Sequence, residues 1–137
     1  ARQMARALVA DGVTVLSGLA KGIDTSAHAE TLSAGGRTIA VLGTGILRTY
    51  PKENSSLAEA IADNGALVSQ FWPTQPPGRH TFPRRNVVTS GMSQGTVVIE
   101  ASRTSGASVP ASCRASVRPS ASRSSITDHH DRDGRTG

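Results

Sequence analysis

Short apolar runs alternate with helical segments along residues 1–106 of this 137-residue chain, and this alternation limits the possible folds more than any other feature. The runs favour β-strands, because they are short and rich in β-branched residues. Strands are predicted at 13–17, 38–43, 66–71 and 95–101, and helices at 2–11, 24–35, 54–65 and 84–93. Alternation with short connections predicts an α/β domain with a parallel sheet and right-handed crossovers.

Glycine and aspartate mark the predicted ends of these helices. Gly12 and Gly35 follow the first two helices and suit the backbone conformation that ends a helix. Asp24 is predicted to cap the second helix, because its side-chain oxygen can accept a backbone N–H at the amino end.

The composition excludes several classes of protein. A single cysteine, Cys113, rules out an intrachain disulfide framework and fits a reducing, cytoplasmic compartment. No apolar run reaches the ~18 residues of a membrane span, and no signal-peptide pattern is present. The chain starts without Met inside a predicted helix, so we expect an N-terminally incomplete domain.

Residues 107–137 differ in composition from the first 106 residues. They hold seven Ser and five Arg, with only three large aliphatic residues. Such a segment buries too little apolar area to offset its ordering entropy, so a disordered tail is predicted. The "DHHD" stretch at 128–131 lies in this tail and is not expected to bind a metal, and no cofactor is expected.

Charge is distributed unevenly along the chain, whose formal net charge is +5. No carboxylate occurs from residue 64 to residue 99, whereas Arg79, Arg84 and Arg85 fall within this stretch. A locally unopposed positive segment permits binding to a polyanion.

The first predicted strand leads into "SGLAKGIDTSAH", residues 17–28. A glycine turn before a helix offers backbone N–H groups and a helix dipole to an anion. Lys21 adds a full charge, and Gly18 and Gly22 allow close approach. The alternative is a plain tight turn, in which the glycines only satisfy backbone geometry. The stretch matches neither a dinucleotide-binding fingerprint nor a P-loop.

A second glycine turn follows the second strand in "GTGILRTYPKEN", residues 43–54. Gly43 and Gly45 again allow close backbone approach. Tyr50 either stacks on a base or covers the edge of the core.

A third polar segment, "RHTFPRRN", spans residues 79–86. Its adjacent arginines, Arg84 and Arg85, can hold phosphates beside Phe82, which can stack on a base. The alternative is a solvated loop with Phe82 turned inward. In a parallel sheet these three segments follow the carboxyl ends of strands, the edge where ligands bind.

Four motifs in this order, "SGLAKGIDTSAH", "GGRTIAVLGTGILRTYPKEN", "FPRRN" and "GTVVIEA", resemble the DNA-processing protein A (DprA/Smf) family over about residues 1–108. The resemblance implies a partial Rossmann-like three-layer domain at 1–106 with a mostly parallel sheet. It also implies sequence-independent binding of single-stranded DNA, dimerisation and loading of a RecA-type recombinase during natural transformation, without catalysis.

The resemblance also implies a DNA-binding pocket. Lys21 in the first segment and three residues of the third would contact DNA, with small residues shaping the backbone and Phe82 as a possible stacking platform. The complete predicted set is Ser17, Gly18, Lys21, Gly22, Gly43, Gly45, Phe82, Arg84, Arg85 and Asn86.

The chain departs from the family pattern at four places. The opening strand with its Gly-Ser-Arg turn is absent, Val87 replaces a usual Arg, and Gln70 replaces a usual Glu. After Ala107 the Ser/Arg/Pro/Ala composition is typical of GC-rich coding DNA translated in the wrong frame, and we expect a frameshifted product there.

Two other functions fit parts of the sequence. "GTVVIEA" is also similar to the strand end of nucleotide phosphoribohydrolases, in which Glu100 would act in hydrolysis of a nucleoside monophosphate. The Pro-Gly-Gly that precedes this motif in those enzymes is Met-Ser-Gln here. A nucleotide-sensing module is the third possibility, and it would prefer a mononucleotide to DNA.

Overall fold

The computed structural model describes residues 1–99, in which four α-helices pack with a three-stranded sheet. The elements in chain order are α1 (Arg2–Ala10), β1 (Val15–Ser17), α2 (Ile23–Ser33), β2 (Thr38–Val41), a 3₁₀ turn (Lys52–Asn54), α3 (Ser55–Asn64), β3 (Ala66–Val68) and α4 (Thr81–Met92). The predicted α/β architecture is confirmed.

The sheet has the order β1-β2-β3, and both neighbouring pairs are parallel. Val15 lies opposite Thr38 in the first pair, and Ile39 lies opposite Ala66 in the second. Parallel strands need a return connection, which α2 and α3 provide. Crossovers of the usual right hand in a 1-2-3 order place both helices on the same face of the sheet, and α2 and α3 do contact each other. The carboxyl ends of all three strands therefore share one edge.

The hydrophobic core between the sheet and the crossover helices is entirely aliphatic. It consists of buried Leu19, Ala40, Leu42, Ala58 and Ile61, with Leu32, Leu57 and Leu67 packed against them. None of the chain's four aromatic residues belongs to this cluster. The aromatic side chains therefore lie outside this core cluster.

Glycine ends the first two helices, as predicted. Gly12 and Gly35 have φ values of +70° and +74°, in the left-handed region that glycine adopts without a steric penalty. The predicted cap at Asp24 is wrong, because α2 begins earlier, at Ile23, with Gly22 at the capping position. The Asp24 carboxylate instead bonds to the loop before the helix.

The three observed strands are shorter than predicted. The predicted fourth strand does not form over residues 95–99, the part of it that the structure describes. The N–H of Val13 bonds to the carbonyl of Leu8 at the end of α1, so the chain joins the sheet only at Val15. Residues 95–99 pair with no strand, and the side chains of Val97 and Ile99 are exposed. Without a paired neighbour this apolar run does not form a buried strand. Glu100 and the predicted tail at 107–137 lie outside the described residues.

Candidate functional site

Three loops follow the strands at the carboxyl edge of the sheet. The first loop is 18–22, the second is 42–51 and the third is 69–80. We call the surface that these loops form with the first two turns of α4 the carboxyl-edge surface. Nine of the ten residues predicted for the site lie in these loops and turns, and the tenth, Ser17, ends β1 directly before the first loop. The complete set is Ser17, Gly18, Lys21, Gly22, Gly43, Gly45, Phe82, Arg84, Arg85 and Asn86.

The Asp24 carboxylate organises the first loop. Its Oδ1 accepts a hydrogen bond of 2.5 Å from Ser17 Oγ, and its Oδ2 accepts from the N–H groups of Gly18 (3.2 Å) and Ala20 (3.1 Å). Two of the backbone donors that a glycine turn would offer to an anion are thus bonded to the chain's own carboxylate. A phosphate at this loop would depend on side chains rather than on these two groups.

A buried asparagine holds the same loop from the other side. Leu19 is fully buried with φ +64°, an uncommon conformation for a residue with a Cβ. Asn54 Nδ2 donates to the carbonyl of Leu19 and to Thr25 Oγ1, both at 2.9 Å. Sequence reasoning missed this role, because an asparagine between a polar loop and a helix gives no signal of a partner 35 residues away.

Lys21 is exposed and forms an ion pair. Its Nζ lies 2.5 Å from Glu53 Oε1, and both side chains are more than 60% exposed. The hydrogen bond raises the pKa of Lys21 and lowers the pKa of Glu53. The charge that was predicted to meet a phosphate is therefore partly offset.

Arg85 is buried and joins two strand ends. Its Nη1 donates to the carbonyls of Gly18 (2.5 Å) and Val41 (2.8 Å), and its Nε donates to Asn86 Oδ1 (2.8 Å). Burial lowers the pKa of Arg85, and the negative charge of Asp24 opposes that effect. These contacts assign Arg85 to the framework beneath the surface.

Three of the four predicted glycines, Gly18, Gly43 and Gly45, face protein atoms, whereas nothing lies within 4 Å of a Cβ at Gly22. A Cβ at Gly18 would lie 2.0 Å from Arg85 Nη1, and one at Gly43 would lie 2.7 Å from the ring of Phe82. Phe82 is half-buried, and its centroid lies 6.0 Å from that of Tyr50. The groups that come close enough to require glycine are thus the side chain of Arg85 at Gly18 and the ring of Phe82 at Gly43. Phe82 therefore packs on the backbone.

The second and third loops are tied together. Gly45 N–H donates to the carbonyl of Gln75 (3.0 Å), Leu47 N–H donates to that of Pro73 (3.0 Å), and Ser69 Oγ donates to that of Thr44 (2.6 Å). Two of these hydrogen bonds are between backbone groups, and the third is from a side chain to the backbone. Because they connect the two loops, the loops form one surface.

Arg84 is exposed beside two aromatic residues. Its guanidinium carbon lies 5.6 Å from the ring centroid of Phe71, within the range of a cation–π contact. Trp72 follows Phe71 and is 82% exposed. A shallow open cleft lies between them, lined by Gln70, Phe71, Trp72, Pro73, Gln75 and Arg84. Trp72 was not predicted as a site residue, since a single Trp in a Pro-rich loop carries no pattern.

The remaining charge of the surface is positive. Lys21 pairs with Glu53, and Arg85 interacts with Asp24. Arg48, Arg79 and Arg84 are exposed, and none of the ion pairs within residues 1–99 involves them. Arg48 is held in place, because its Nε donates to the carbonyl of Thr74 (2.7 Å).

His28 belongs to the framework behind the first loop. It is fully buried, and its Nδ1 lies 2.7 Å from Thr38 Oγ1, which donates to the carbonyl of Val15 (2.8 Å). Since the hydroxyl proton points to Val15, Nδ1 carries the ring proton and donates to the threonine. Burial lowers the pKa of His28 to about 4, so the ring is neutral and links α2 to both strands.

Among residues 1–99, no group of three or more His, Cys, Asp or Glu side chains is placed to hold a metal ion. No helix of this part of the chain is long and apolar enough to cross a membrane.

The fold and this edge define a class: a Rossmann-like α/β domain with cationic and aromatic side chains beyond the carboxyl ends of its strands. The family model of DNA recombination-mediator protein A matches residues 1–120. The chain belongs to this family, which confirms the resemblance. The match extends past residue 106, where the sequence predicts that the domain ends. This boundary lies outside residues 1–99, which the structure describes.

Relatives and solved structures agree with this assignment. Protein Smf of Synechocystis is 46% identical over 110 residues, which are 80% of this chain and 28% of that protein. The X-ray structure of DNA processing protein A from Streptococcus pneumoniae has a TM-score of 0.64 at 37% identity, covering 77% of this chain and 38% of that one.

A structure of DNA processing protein A from Helicobacter pylori, described for its single-stranded DNA binding mode, has a TM-score of 0.70 at 28% identity. It covers 77% of this chain and 47% of that one. The chain therefore spans between about a quarter and a half of the length of these relatives.

Proposed function

We propose that the carboxyl-edge surface binds single-stranded DNA without sequence preference, as the DNA-binding part of a recombination mediator. The observation that carries the proposal is the set of exposed arginines, Arg48, Arg79 and Arg84, on a surface whose loops contain no Asp or Glu. Of the two carboxylates beside it, Glu53 is paired with Lys21, and Asp24 accepts hydrogen bonds from the first loop. The single-stranded DNA binding named for the Helicobacter pylori protein supports the same ligand.

The side chains present explain why recognition would be independent of sequence. Guanidinium groups bind phosphate oxygens, which are the same at every nucleotide. Aromatic rings stack on any base, because every base has a π-face. Binding of this kind depends strongly on salt, and each phosphate neutralised adds roughly 0.7 to the log–log slope on a single strand.

The wider role that we propose belongs to the full-length protein. By family membership, it would load a RecA-type recombinase onto DNA in the cytoplasm during natural transformation, act as a homodimer and perform no catalysis. The chain spans a minor share of the length of its relatives. The phosphoribohydrolase alternative depends on Glu100, which lies outside the described residues.

A gel-shift assay tests the proposal with labelled oligothymidylate and the double variant Arg79→Ala/Arg84→Ala. We expect weaker binding and a salt slope lower by roughly 1.4, which corresponds to two phosphate contacts. Arg37→Ala is a matched control, because Arg37 is exposed and precedes β2 at the opposite edge of the sheet.

Two results would contradict the proposal. If the loss of binding free energy per charge removed is the same in the double variant as in the Arg37 control, binding follows net charge and not this surface. If unlabelled AMP competes as well as an unlabelled oligonucleotide of equal phosphate concentration, the ligand is a mononucleotide. Thermal melting of each variant by circular dichroism shows whether the compared proteins are folded.

A further inference from the structure

Trp72 is the only tryptophan of the chain, and 82% of its surface is exposed. A large aromatic side chain normally contributes to a core or an interface. The core of this domain is aliphatic, and Trp72 takes no part in it. Its exposure is therefore not explained by folding.

The backbone beneath Trp72 is fixed. Its carbonyl accepts a hydrogen bond from the N–H of Gln75 (2.9 Å), and the next carbonyl, of Pro73, accepts from Leu47 (3.0 Å). A Cβ at Gly45 would lie 2.0 Å from the Trp72 oxygen, so the second loop packs directly against this turn. The indole thus projects from a well-supported position rather than from a loose loop.

The neighbours of Trp72 favour an anionic ligand that carries flat rings. Arg84 lies over Phe71, and the cleft between this pair and Trp72 is open to solvent. The stretch from residue 64 to residue 99 contains no carboxylate that would repel a phosphate. Phe82, for which the sequence left open either stacking on a base or an inward position, is half-buried and packs against Gly43 and Tyr50.

We propose that Trp72 is a stacking platform for an unpaired nucleobase, with Arg84 contacting the adjacent phosphate. The proposal deepens the function above and rests on it, because it assigns the base-contacting part of the same surface. In a duplex the faces of the bases are covered by their neighbours, so a platform of this kind selects single strands. Stacking on an indole does not distinguish one base from another.

The single tryptophan allows a direct test by fluorescence titration of the full chain. Two probes of equal length are used: oligothymidylate, and a strand of abasic sites that keeps every phosphate but has no base. We expect oligothymidylate to quench the emission and to bind about tenfold more tightly than the abasic strand, as one stacked base would give. The abasic strand should bind with little quenching.

Variants separate stacking from phosphate binding, with affinities measured by anisotropy of labelled strands. Trp72→Ala should remove the difference between the two strands and leave the affinity for the abasic strand unchanged. Trp72→Phe should restore most of the difference, since phenylalanine also stacks. Val13→Ala, at a residue that is 45% exposed and precedes β1 at the opposite edge of the sheet, should keep the wild-type difference.

Three outcomes would overturn the proposal, and only the third also contradicts the proposed function. If Trp72→Ala still binds oligothymidylate more tightly than the abasic strand, another residue contacts the base. The proposed DNA binding would then remain intact. An emission maximum that shifts with protein concentration, before any strand is added, places Trp72 in a contact between copies of the chain. A wild-type chain that binds neither strand contradicts both proposals.

Discussion

Arg85 donates a hydrogen bond of 2.5 Å to the carbonyl of Gly18, which lies 67 residues earlier in the chain. The same Nη1 also donates to Val41, so one guanidinium joins the ends of β1 and β2. The edge that we propose to bind DNA is thus built over a buried arginine, while the neighbouring Arg84 is exposed.

Arg85→Ala should destabilise the domain far more than Arg84→Ala. The substitution leaves two carbonyls without their donor, and hydrogen bonds to charged groups contribute about 1.5–3 kcal/mol each. We expect the free energy of unfolding to fall by about 2–4 kcal/mol for Arg85→Ala and by less than about 0.5 kcal/mol for Arg84→Ala. Urea denaturation followed by circular dichroism measures both, and equal losses would show that Arg85 is not part of the framework.

Gly18→Ala should act through the same contact. The added methyl group would lie 2.0 Å from Arg85 Nη1, so the guanidinium must move away from both carbonyls. Its cost should therefore not add to that of Arg85→Ala, and the double variant should be about as stable as the less stable single variant. A double-mutant cycle measured by urea denaturation checks this, and additive losses would mean that the methyl group is accommodated elsewhere.

The parallel sheet and the convergence of the three loops at one edge could be predicted from sequence, because both depend on local patterns. Alternating apolar runs and helical segments specify parallel strands, and parallel strands bring their carboxyl ends to one edge. Gly12 and Gly35 were identifiable as helix stops for the same reason, since a helix end depends on a few adjacent residues.

The role of each side chain at this edge could not be predicted. Arg84 and Arg85 are adjacent and chemically identical, yet one is exposed and the other is buried against Gly18 and Val41. What separates them is the direction in which each points from α4, together with partners distant in sequence. The prediction of a fourth strand was wrong over residues 95–99 for a related reason. An apolar run forms a strand only where a neighbouring strand is available for pairing.

Acid should weaken the fold through His28. Burial lowers its pKa from 6.5 to about 4, with Asp24 on α2 opposing this shift and Arg85 on α4 adding to it. Between these pH values the unfolded chain binds a proton at His28 that the folded chain does not. The free energy of unfolding should therefore fall by roughly 3 kcal/mol as the pH drops from 6.5 to 4, and this contribution should level off below pH 4.

His28→Gln is the control for the effect of acid. Glutamine can still donate to Thr38, but it has no group that titrates in this range. The variant should lose most of the decrease in the free energy of unfolding between pH 6.5 and 4, as measured by urea denaturation at a series of pH values. An unchanged pH dependence would assign the acid sensitivity to other groups.

Two glycine-to-alanine substitutions should change stability in opposite directions. At Gly45 a Cβ would lie 2.0 Å from the carbonyl oxygen of Trp72, which is backbone and cannot rotate away. Gly45→Ala should therefore cost about 1–3 kcal/mol. At Gly91, within α4, nothing lies within 4 Å of a Cβ, and Gly91→Ala should stabilise by about 0.5–1 kcal/mol. Thermal melting compares the two variants, and similar melting temperatures would contradict the packing of the second loop on the third.

Glu53→Gln should strengthen DNA binding. The substitution removes the carboxylate that pairs with Lys21, so the lysine can contact a phosphate without first losing a partner. We expect affinity for oligothymidylate to rise by a factor of about two to five, and the salt slope to increase by roughly 0.7. Both pair members are well exposed, so the melting temperature should hardly change.

Glu59→Gln is the matched control, because it removes one exposed carboxylate from α3 and leaves the pair with Lys21 in place. It should give a smaller gain in affinity and an unchanged salt slope, both measured by fluorescence anisotropy over a range of salt concentrations. Equal gains from the two variants would mean that the DNA responds only to net charge. In that case Lys21 would not be one of the residues that contact the strand.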